Sequence, residues 1–245
     1  MSKVKIAAII PARMASKRFP DKPLALINGI PMIQRVWEKA IKSNLGDTYV
    51  ACSETEVFDL ITKLGGAAIM TNPKLPSGTD RVYAALQQIT NYKSYQSIIN
   101  LQGDMPLINE NDIIKVKEPI LNGFDIGTLA TNLSIEEESN INITKVKIDW
   151  VKEKSLGIAK DFYKNSKGHI DHVYHHVGIY SFNIKALSKF VSMPPSVNEL
   201  NYHLEQWRAL DSGLSIGVSF VENVPISVDT KEDLIHLESI IKSQQ

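Results

Sequence analysis

Short apolar runs of strand length alternate along the chain with amphipathic segments of helical period. Eight runs have the length and apolar content of buried strands. They are KIAAII (5–10), DTYVACS (47–53), AAIMT (67–71), SIINLQG (97–103), DIGTLAT (125–131), TKVKID (144–149), HVGIYSF (176–182) and SIGVSFV (215–221). Because strands that alternate with helices favour a parallel sheet covered on both faces, we expect an α/β fold with a doubly wound, mostly parallel sheet.

The segments between these runs show the apolar spacing of helices. In PMIQRVWEKAIKS (31–43), Pro31 suits the first turn. Its apolar residues are predicted to share one face: Met32, Ile33, Val36, Trp37, Ala40 and Ile41. Further helices are predicted at 54–65, 78–89, 110–122, 184–193, 199–213 and 230–243.

The alternation weakens between about 132 and 171, where no clean helical pattern occurs. No proline- or glycine-rich linker separates this stretch from its flanks. We therefore predict one domain, residues 1–245, with a small inserted lobe at about 132–180.

Composition narrows the functional classes. The 27 basic and 27 acidic side chains cancel, so no global field attracts the chain to nucleic acid or an anionic membrane. Cys52 is the single cysteine of the sequence, which excludes an internal disulfide and any multi-cysteine metal site. The apolar run 6–10 is too short for a signal-peptide core, and no run approaches the roughly 20 residues that span a bilayer. We expect a cytoplasmic protein without membrane insertion.

The loop after the first strand, IIPARMASKRFPDKPL (9–24), holds four cations: Arg13, Lys17, Arg18 and Lys22. Because ligands bind at the carboxyl ends of parallel strands, these cations and Asp104 of LQGDMP are expected to line one crevice. A carboxylate opposite cations suits Mg²⁺ with a polyphosphate. The alternatives are a solvated loop, and a turn or helix-cap role for Asp104.

Other motifs are weaker. PSGTDR (76–81) can approach a ligand through Gly78 and the neighbouring hydroxyls, or begin a helix with Thr79 or Asp80 as its cap. Neither a Walker motif nor a Gly-x-Gly-x-x-Gly fingerprint occurs. A metal site is the less favoured interpretation of the histidines, which are His169, His172, His175, His176, His203 and His236.

Taken together, these motifs resemble one enzyme family. IIPARMASKRFPDKPL is similar to the nucleotide-binding signature of cytidylyltransferases that activate sugar acids. The resemblance continues through NGIPMIQRVWEKA, Gly65–Gly66, SGTDR, NLQGDMPLI, HHVGIYSF, LEQWRAL and ISVDTKEDL. In this order they resemble the 3-deoxy-manno-octulosonate (Kdo) cytidylyltransferases, which implies a Rossmann-like nucleotidyltransferase and CMP-Kdo synthesis for lipopolysaccharide or surface polysaccharide.

The resemblance also implies roles for individual residues. Arg13 and Lys22 would contact the phosphates of CTP, with Arg18 nearby. Asp104 and Asp229 would bind Mg²⁺. The nucleotide would further contact Ala12, Ser77, Gly78, Thr79 and Arg81. The sugar acid would meet Gln102, His176, Tyr180, Glu205 and Gln206, unless Glu205 and Gln206 lie on an exposed helix face and Tyr180 is an ordinary half-buried strand residue. A homodimer is expected from the family, with its interface near HHVGIYSF.

Three departures from the family's pattern leave the acceptor open. Ser53 replaces an aspartate after the second strand, and Met105 replaces an acidic residue after QGD. In LGIAKDFY, Ala159 replaces a serine and Lys160 an arginine, which loses the planar fork that grips a carboxylate. We expect Lys160 to bind the sugar carboxylate, with His176 as the next candidate, or else to lie in a solvated loop. Alternative functions are CMP transfer to an amino-Kdo or a nonulosonic acid, and a nucleotide-binding homologue without activity.

Overall fold

The computed structural model describes residues 4–15, 18–152, 154–164 and 172–243. Its strands are β1 Ile6–Pro11, β2 Leu26–Ile27, β3 Ile30–Pro31, β4 Asp47–Cys52, β5 Ala67–Met70, β6 Ser97–Asn100, β7 Ile126–Asn132, β8 Lys145–Lys152, β9 Leu156–Tyr163, β10 Val173–Phe182 and β11 Ile216–Phe220. Its α-helices are α1 Met32–Lys42, α2 Thr55–Lys63, α3 Gly78–Leu86, α4 Glu110–Lys115, α5 Glu118–Leu121, α6 Ile135–Glu138, α7 Ile184–Ser192, α8 Val197–Tyr202, α9 Gln206–Asp211 and α10 Lys231–Ser243. No helix within the described ranges combines the length and the apolar composition needed to cross a bilayer.

The chain divides into two compact units. The first unit comprises residues 1–95, 100–113 and 225–245, and the second comprises 96–99 and 114–224. The stretch 132–180 belongs to the second unit. A single domain with an inserted lobe stays a prediction.

In the first unit, three parallel strands lie in the order β5-β4-β1. The residues from Ile6 to Ile10 of β1 are fully buried, as a strand covered on both faces requires. Helices α1 and α3 pack against β1 and β4, and α2 packs against β4 and β5. The carboxyl ends of these strands therefore carry the loops predicted to bind the ligand.

Helix α1 follows the apolar pattern of its sequence. Its buried residues are Met32, Ile33, Val36 and Ala40. Ile41, predicted on the same face, is 49% exposed, because it lies at the margin of the buried stripe. Pro31 is the N-cap and precedes the first turn by one residue.

A separate apolar cluster joins the basic loop to the C-terminal helix. Its buried members are Phe19, Ile27, Met32, Val228 and Leu237. Phe19 stands among the cations of the loop after β1 but is only 6% exposed. Burying a phenylalanine contributes roughly 1.5–3 kcal/mol, so this side chain anchors the charged loop to the first unit.

The second unit has its strands in the order β6-β10-β7-β11-β9-β8. Strands β7 and β11 run parallel, whereas β10 is antiparallel to β7, and β9 is antiparallel to β8 and β11. The α/β class with a large, mostly parallel sheet and flanking helices is confirmed, and these antiparallel pairs give the sheet its mixed character.

Two predicted helices were wrong, and one strand was not predicted. The helix at 110–122 is two helices, α4 and α5, because Pro119 lacks the N–H that a helix interior needs. The helix at 199–213 is interrupted at His203, whose φ of 54° is left-handed. Residues 156–163, which showed no clear pattern, form strand β9.

Candidate active site

The basic loop begins where β1 ends, and backbone hydrogen bonds fix its course. The Ala12 N–H donates to Ala51 O over 2.8 Å, which extends the pairing of β1 with β4 beyond the strand. The Met14 N–H donates to the Glu54 carboxylate over 3.2 Å. The loop thus leaves the sheet edge in a defined direction before Phe19 anchors it. Lys17 lies outside the described residues.

Lys22 connects the two carboxylates that the sequence predicted as metal ligands. Its Nζ lies 2.9 Å from Asp104 Oδ2 and 3.2 Å from Asp229 Oδ1. Arg18 Nη2 lies 3.2 Å from the same oxygen of Asp229. Lys22 is only 16% exposed and Arg18 is 67% exposed, so the Lys22 contacts are the better shielded from water.

The backbone places these carboxylates side by side. The Val228 N–H donates to Asp104 O over 2.9 Å, which joins the loop after β6 to the segment before α10. Asp233 accepts from the N–H groups of Asp229 and Thr230 over 2.9 and 2.8 Å. Residues 104 and 229, far apart in sequence, are therefore neighbours in the fold.

The SGTDR segment begins α3, and its N-cap is Ser77. The predicted caps, Thr79 and Asp80, were wrong, because the Ser77 hydroxyl accepts the Asp80 N–H over 3.2 Å. Thr79 is buried and accepts from Asn100 Nδ2 over 3.3 Å.

Arg81 is 1% exposed and donates from Nη1 to Thr71 Oγ1 over 2.5 Å. Its buried Nη2 has no protein partner among the described residues. Burial, with repulsion from Arg13, lowers the pKa of the Arg81 guanidinium. A buried donor without a partner is costly, so a ligand oxygen at this atom would relieve that cost.

A cavity of about 240 Å³ in the first unit, which we call the nucleotide cavity, collects these groups. Its lining residues are Pro11, Ala12, Arg13, Arg18, Lys22, Pro23, Ile33, Gly78, Arg81, Gln102, Gly103, Asp104 and Asp229. A Cβ at Gly103 would lie 3.0 Å from Pro11 O, so glycine lets two strand ends approach closely beside the cavity. The expectation that Asp104 faces the cations across one crevice matches this geometry.

Gln102 also lines the nucleotide cavity, although the sequence assigned it to the sugar acid. Its Nε2 donates to Asn100 Oδ1 over 2.7 Å, which holds the side chain in place.

In the second unit, three of the predicted sugar-binding side chains are in contact. The rings of His176 and Tyr180 lie 5.6 Å apart, and Gln206 Nε2 donates to Tyr180 Oη over 2.5 Å. Gln206 Oε1 is buried without a protein partner in the described part of the chain. We call His176, Tyr180 and Gln206 the acceptor cluster.

Burial governs the electrostatics of the acceptor cluster. It lowers the pKa of His176 to about 3, with a further contribution from His175. It raises the pKa of Tyr180, as does the carboxylate of Glu205. Both side chains are therefore neutral near pH 7. Glu205 and Gln206 are partly buried at the start of α9, so the exposed helix face considered for them was wrong.

Lys160 lies in β9 and not in a solvated loop. It occupies a bulge, because Lys147 pairs with Asp161 and Ile148 with Ala159, which leaves Lys160 without a partner across from it in β8. The side chain is 48% exposed, and its Nζ lies 3.6 Å from Asp149 Oδ2. Contact with a sugar carboxylate stays a prediction.

The remaining histidines do not gather into a metal site in the described ranges. His175 Nδ1 lies 2.9 Å from Glu137 Oε1, and no group of three potential ligands occurs among the residues described. His169 lies outside those residues.

Two residues that shape these sites were not predicted from the sequence. Phe19 anchors the basic loop, and an aromatic side chain within a run of charges was the available signal. Thr128 is buried and lies 3.0 Å from His176 Nε2. Nothing local in the sequence marks that contact, since it joins two strands 48 residues apart.

Comparison with known proteins finds similar sequences over nearly the whole chain. Residues 7–216 match the family model described as cytidylyltransferase. A 3-deoxy-manno-octulosonate cytidylyltransferase of Paramagnetospirillum magneticum is 39% identical, over 99% of this chain and 100% of that protein. The enzyme of the same name from Rickettsia rickettsii is 42% identical, over 94% of each chain.

Two solved structures are also similar to this chain. A CMP:2-keto-3-deoxy-manno-octonic acid synthetase complexed with CTP matches with a TM-score of 0.88 and 29% identity, over 98% of this chain and 100% of that one. A UDP-glucose pyrophosphorylase complexed with UDP-glucose matches with a TM-score of 0.72 at 12% identity, over 99% and 100% of the two chains, which supports the fold alone.

Proposed function

Because this chain belongs to the cytidylyltransferase family, we propose that it joins CTP and Kdo to give CMP-Kdo and pyrophosphate. It is a CTP-dependent nucleotidyltransferase. The observation that carries the assignment is the nucleotide cavity, where Lys22 contacts both Asp104 and Asp229 beside Arg13 and Arg18.

The reaction forms one bond and breaks one. The anomeric hydroxyl oxygen of the sugar attacks the α-phosphorus of CTP, the bond to the β-phosphate oxygen breaks, and pyrophosphate leaves with that oxygen. The proton of the hydroxyl passes to solvent. No nucleophilic side chain is required, because positioning and charge neutralisation lower the barrier to such a transfer.

The cations of the cavity act on the phosphates. Arg13, Arg18 and Lys22 neutralise the triphosphate, and Arg81 offers its buried N–H to an oxygen of the nucleotide. Ala12, Ser77, Gly78 and Thr79 complete the proposed nucleotide contacts. Charge-assisted hydrogen bonds of this kind are about twice as strong as neutral ones.

Asp104 and Asp229 fit a divalent cation, for which we propose Mg²⁺. Mg²⁺ is commonly held by one or two carboxylates together with substrate phosphates, and these two carboxylates lie in such a cavity. When bound there, the ion would neutralise phosphate charge and could lower the pKa of a hydroxyl. Lys22, which contacts both carboxylates, offsets part of their negative charge.

We assign the sugar acid to Lys160, His176, Tyr180, Glu205 and Gln206 of the second unit. Gln102, which the family resemblance also implied, lies in the first unit and lines the nucleotide cavity. The acceptor cluster supports this assignment, because neutral donors and acceptors that are partly or fully buried suit a polyhydroxylated ligand. Homodimer formation, a cytoplasmic location and a role in lipopolysaccharide or surface polysaccharide synthesis are further parts of the proposal. Sedimentation at assay concentration tests the dimer, and a monomer alone would contradict it.

Pyrophosphate release tests the function. The enzyme is assayed with CTP, Mg²⁺ and a panel containing Kdo, an amino-Kdo and a nonulosonic acid, with UTP as the control nucleotide. We expect turnover with CTP and Kdo. Turnover with another acid sugar alone would make that sugar the acceptor in place of Kdo. These sugars are included because Lys160 replaces the family's arginine. Tight CTP binding with no turnover on any acid would indicate a homologue without activity.

A further inference from the structure

The hydroxyl of Thr128 lies where strand β10 bulges away from β7. Val177 pairs with Leu129 and Tyr180 pairs with Thr128, so three positions along β10 correspond to one along β7. Thr128 Oγ1 lies 2.9 Å from Ile179 O, 3.2 Å from Val177 O and 3.0 Å from His176 Nε2. Thr128 is fully buried, so its hydroxyl is shielded from bulk water.

Counting protons assigns the direction of these hydrogen bonds. A hydroxyl has one proton and two acceptor lone pairs, and a carbonyl oxygen can only accept. If the proton pointed at His176, the Thr128 oxygen would face two carbonyl oxygens with lone pairs on both sides. Donation to Ile179 O, the nearer carbonyl, removes the closer of these two repulsive contacts. The Thr128 oxygen then accepts, and His176 must carry its proton on Nε2.

We propose that Thr128 is a positioning residue that holds His176 as the neutral Nε2–H tautomer, so that Nδ1 accepts a hydroxyl proton of the acid sugar. This inference rests on the proposed function, which assigns His176 to the sugar.

Two observations agree with a neutral ring. The edge-on ring of Phe162 lies 5.2 Å from the His176 ring at 89°, and Tyr180 covers another part of it at 5.6 Å. Burial of the ring disfavours an imidazolium and lowers the pKa of His176 to about 3.

The tautomer has a consequence for specificity. A neutral ring with its proton engaged by Thr128 has no N–H to offer a carboxylate. His176 was the second candidate to bind the sugar carboxylate. As this tautomer it accepts a hydrogen bond from a hydroxyl of the sugar, and the carboxylate requires another partner.

Histidine ¹⁵N NMR of the intact enzyme tests the tautomer without turnover. His176→Gln assigns the signals. We expect wild type and Thr128→Ser to show protonated Nε2 and unprotonated Nδ1, and Thr128→Val to lose this pattern. Thr131→Val is the matched control, because Thr131 is a buried threonine of the same strand that donates to Glu222 O over 3.1 Å. An Nδ1–H tautomer in wild type would overturn the proposal.

Ligand binding and kinetics complete the test. Saturation with Kdo should shift His176 Nδ1 in wild type. Thr128→Val should raise the KM for Kdo about tenfold and leave the KM for CTP unchanged, with rescue by Thr128→Ser. An unmoved Nδ1 signal in an enzyme that turns over CTP and Kdo would overturn the inference and leave the function standing. Absence of turnover with every acid would overturn the function, while the unliganded spectrum still decides the tautomer.

Discussion

The nucleotide cavity is lined by charged side chains, whereas the side chains of the acceptor cluster are neutral. In the cavity, Arg13, Arg18 and the two carboxylates stand on loops, and Lys22 keeps contacts of 2.9 and 3.2 Å with Asp104 and Asp229. In the acceptor cluster, the titratable rings are neutral and lie on one strand, His176 buried and Tyr180 partly buried, with the pKa of His176 lowered and that of Tyr180 raised.

The difference follows from what each region is proposed to bind. A triphosphate needs full charges, which loops can present to water until the ligand arrives. A sugar needs directed donors and acceptors, and these are selective when they are buried and fixed, because an unmatched group there is costly. Substitutions in the cavity should therefore act through charge, and those in the cluster through hydrogen-bond direction.

The largest effect is expected at the carboxylates of the cavity. Asp104→Asn and Asp229→Asn each remove a charged oxygen ligand while preserving volume, so kcat at limiting Mg²⁺ should fall at least about a hundredfold with little change in stability. Steady-state assays across Mg²⁺ concentrations, with thermal melts, measure both. Asp59→Asn, at an exposed position of α2, is the control. Near-normal turnover at limiting Mg²⁺ would exclude the residue as a ligand.

Cations of the same cavity come next. Arg13→Met and Lys22→Met should each lower kcat/KM for CTP about ten- to a hundredfold, since each loses a charge-assisted hydrogen bond worth roughly 1.5–3 kcal/mol. The KM for the sugar acid should change little. Lys63→Met, on the exposed side of α2, controls for the loss of a surface charge. Unchanged kinetics with CTP would mean that the basic loop is only a solvated loop.

The two regions also differ in how far the sequence could predict them. The residues of the cavity follow strand ends, and parallel strands bring their ends to one edge, so local patterns sufficed for Arg13, Lys22 and Asp104. Asp229 lies beside Asp104 because the Val228 N–H donates to Asp104 O. The family resemblance implied that Asp229 belongs to the site, whereas the periodicity of the sequence could not.

In the second unit the decisive features are non-local. Strand β9 has glycine and charged residues, which obscure its alternation, and it is a strand because β8 and β11 pair with it. The bulge that places Thr128 against His176 arises from the pairing of β10 with β7. A bulge re-aims side chains according to the partner strand, and one strand's sequence does not contain that information.

The acceptor cluster should appear in the pH dependence of stability. The unfolded chain protonates His176 near its ordinary pKa of 6.5, whereas the folded protein does so at about 3. Between these values the unfolded state binds more protons, so stability falls as the pH is lowered below about 6.5, by roughly 1.4 kcal/mol per pH unit from this group.

Urea unfolding at pH 7 and pH 5 measures this loss. The difference between the two pH values should shrink by about 2 kcal/mol in His176→Gln. His236→Gln, at an exposed position of α10, controls for the loss of a histidine. The same pH dependence in wild type and His176→Gln would contradict a buried neutral ring at this position.

The smallest effect is expected at Lys160, the charged residue that departs from the family's arginine. Its contact with Asp149 spans 3.6 Å, and both side chains are about half exposed. An exposed ion pair contributes about 0.2–1 kcal/mol, so turning Lys160 towards a sugar carboxylate sacrifices little. Lys160→Ala should therefore raise the KM for the sugar acid about fivefold and leave the KM for CTP and the melting temperature unchanged.

The Lys160→Arg variant distinguishes the point charge of a lysine ammonium from the forked N–H donors of an arginine guanidinium. If Lys160 meets the carboxylate, a guanidinium at this bulge should lower the KM for Kdo, because it can donate two parallel hydrogen bonds. Asp149→Asn is the matched control, since it frees Lys160 without removing the charge and should not weaken sugar binding. Equal constants for the wild type and the Ala and Arg variants on every sugar would show that Lys160 serves only its contact with Asp149. The Tyr180 hydroxyl would then be the next candidate to bind the sugar carboxylate, because a neutral His176 ring that donates its one N–H to Thr128 has no second proton to donate.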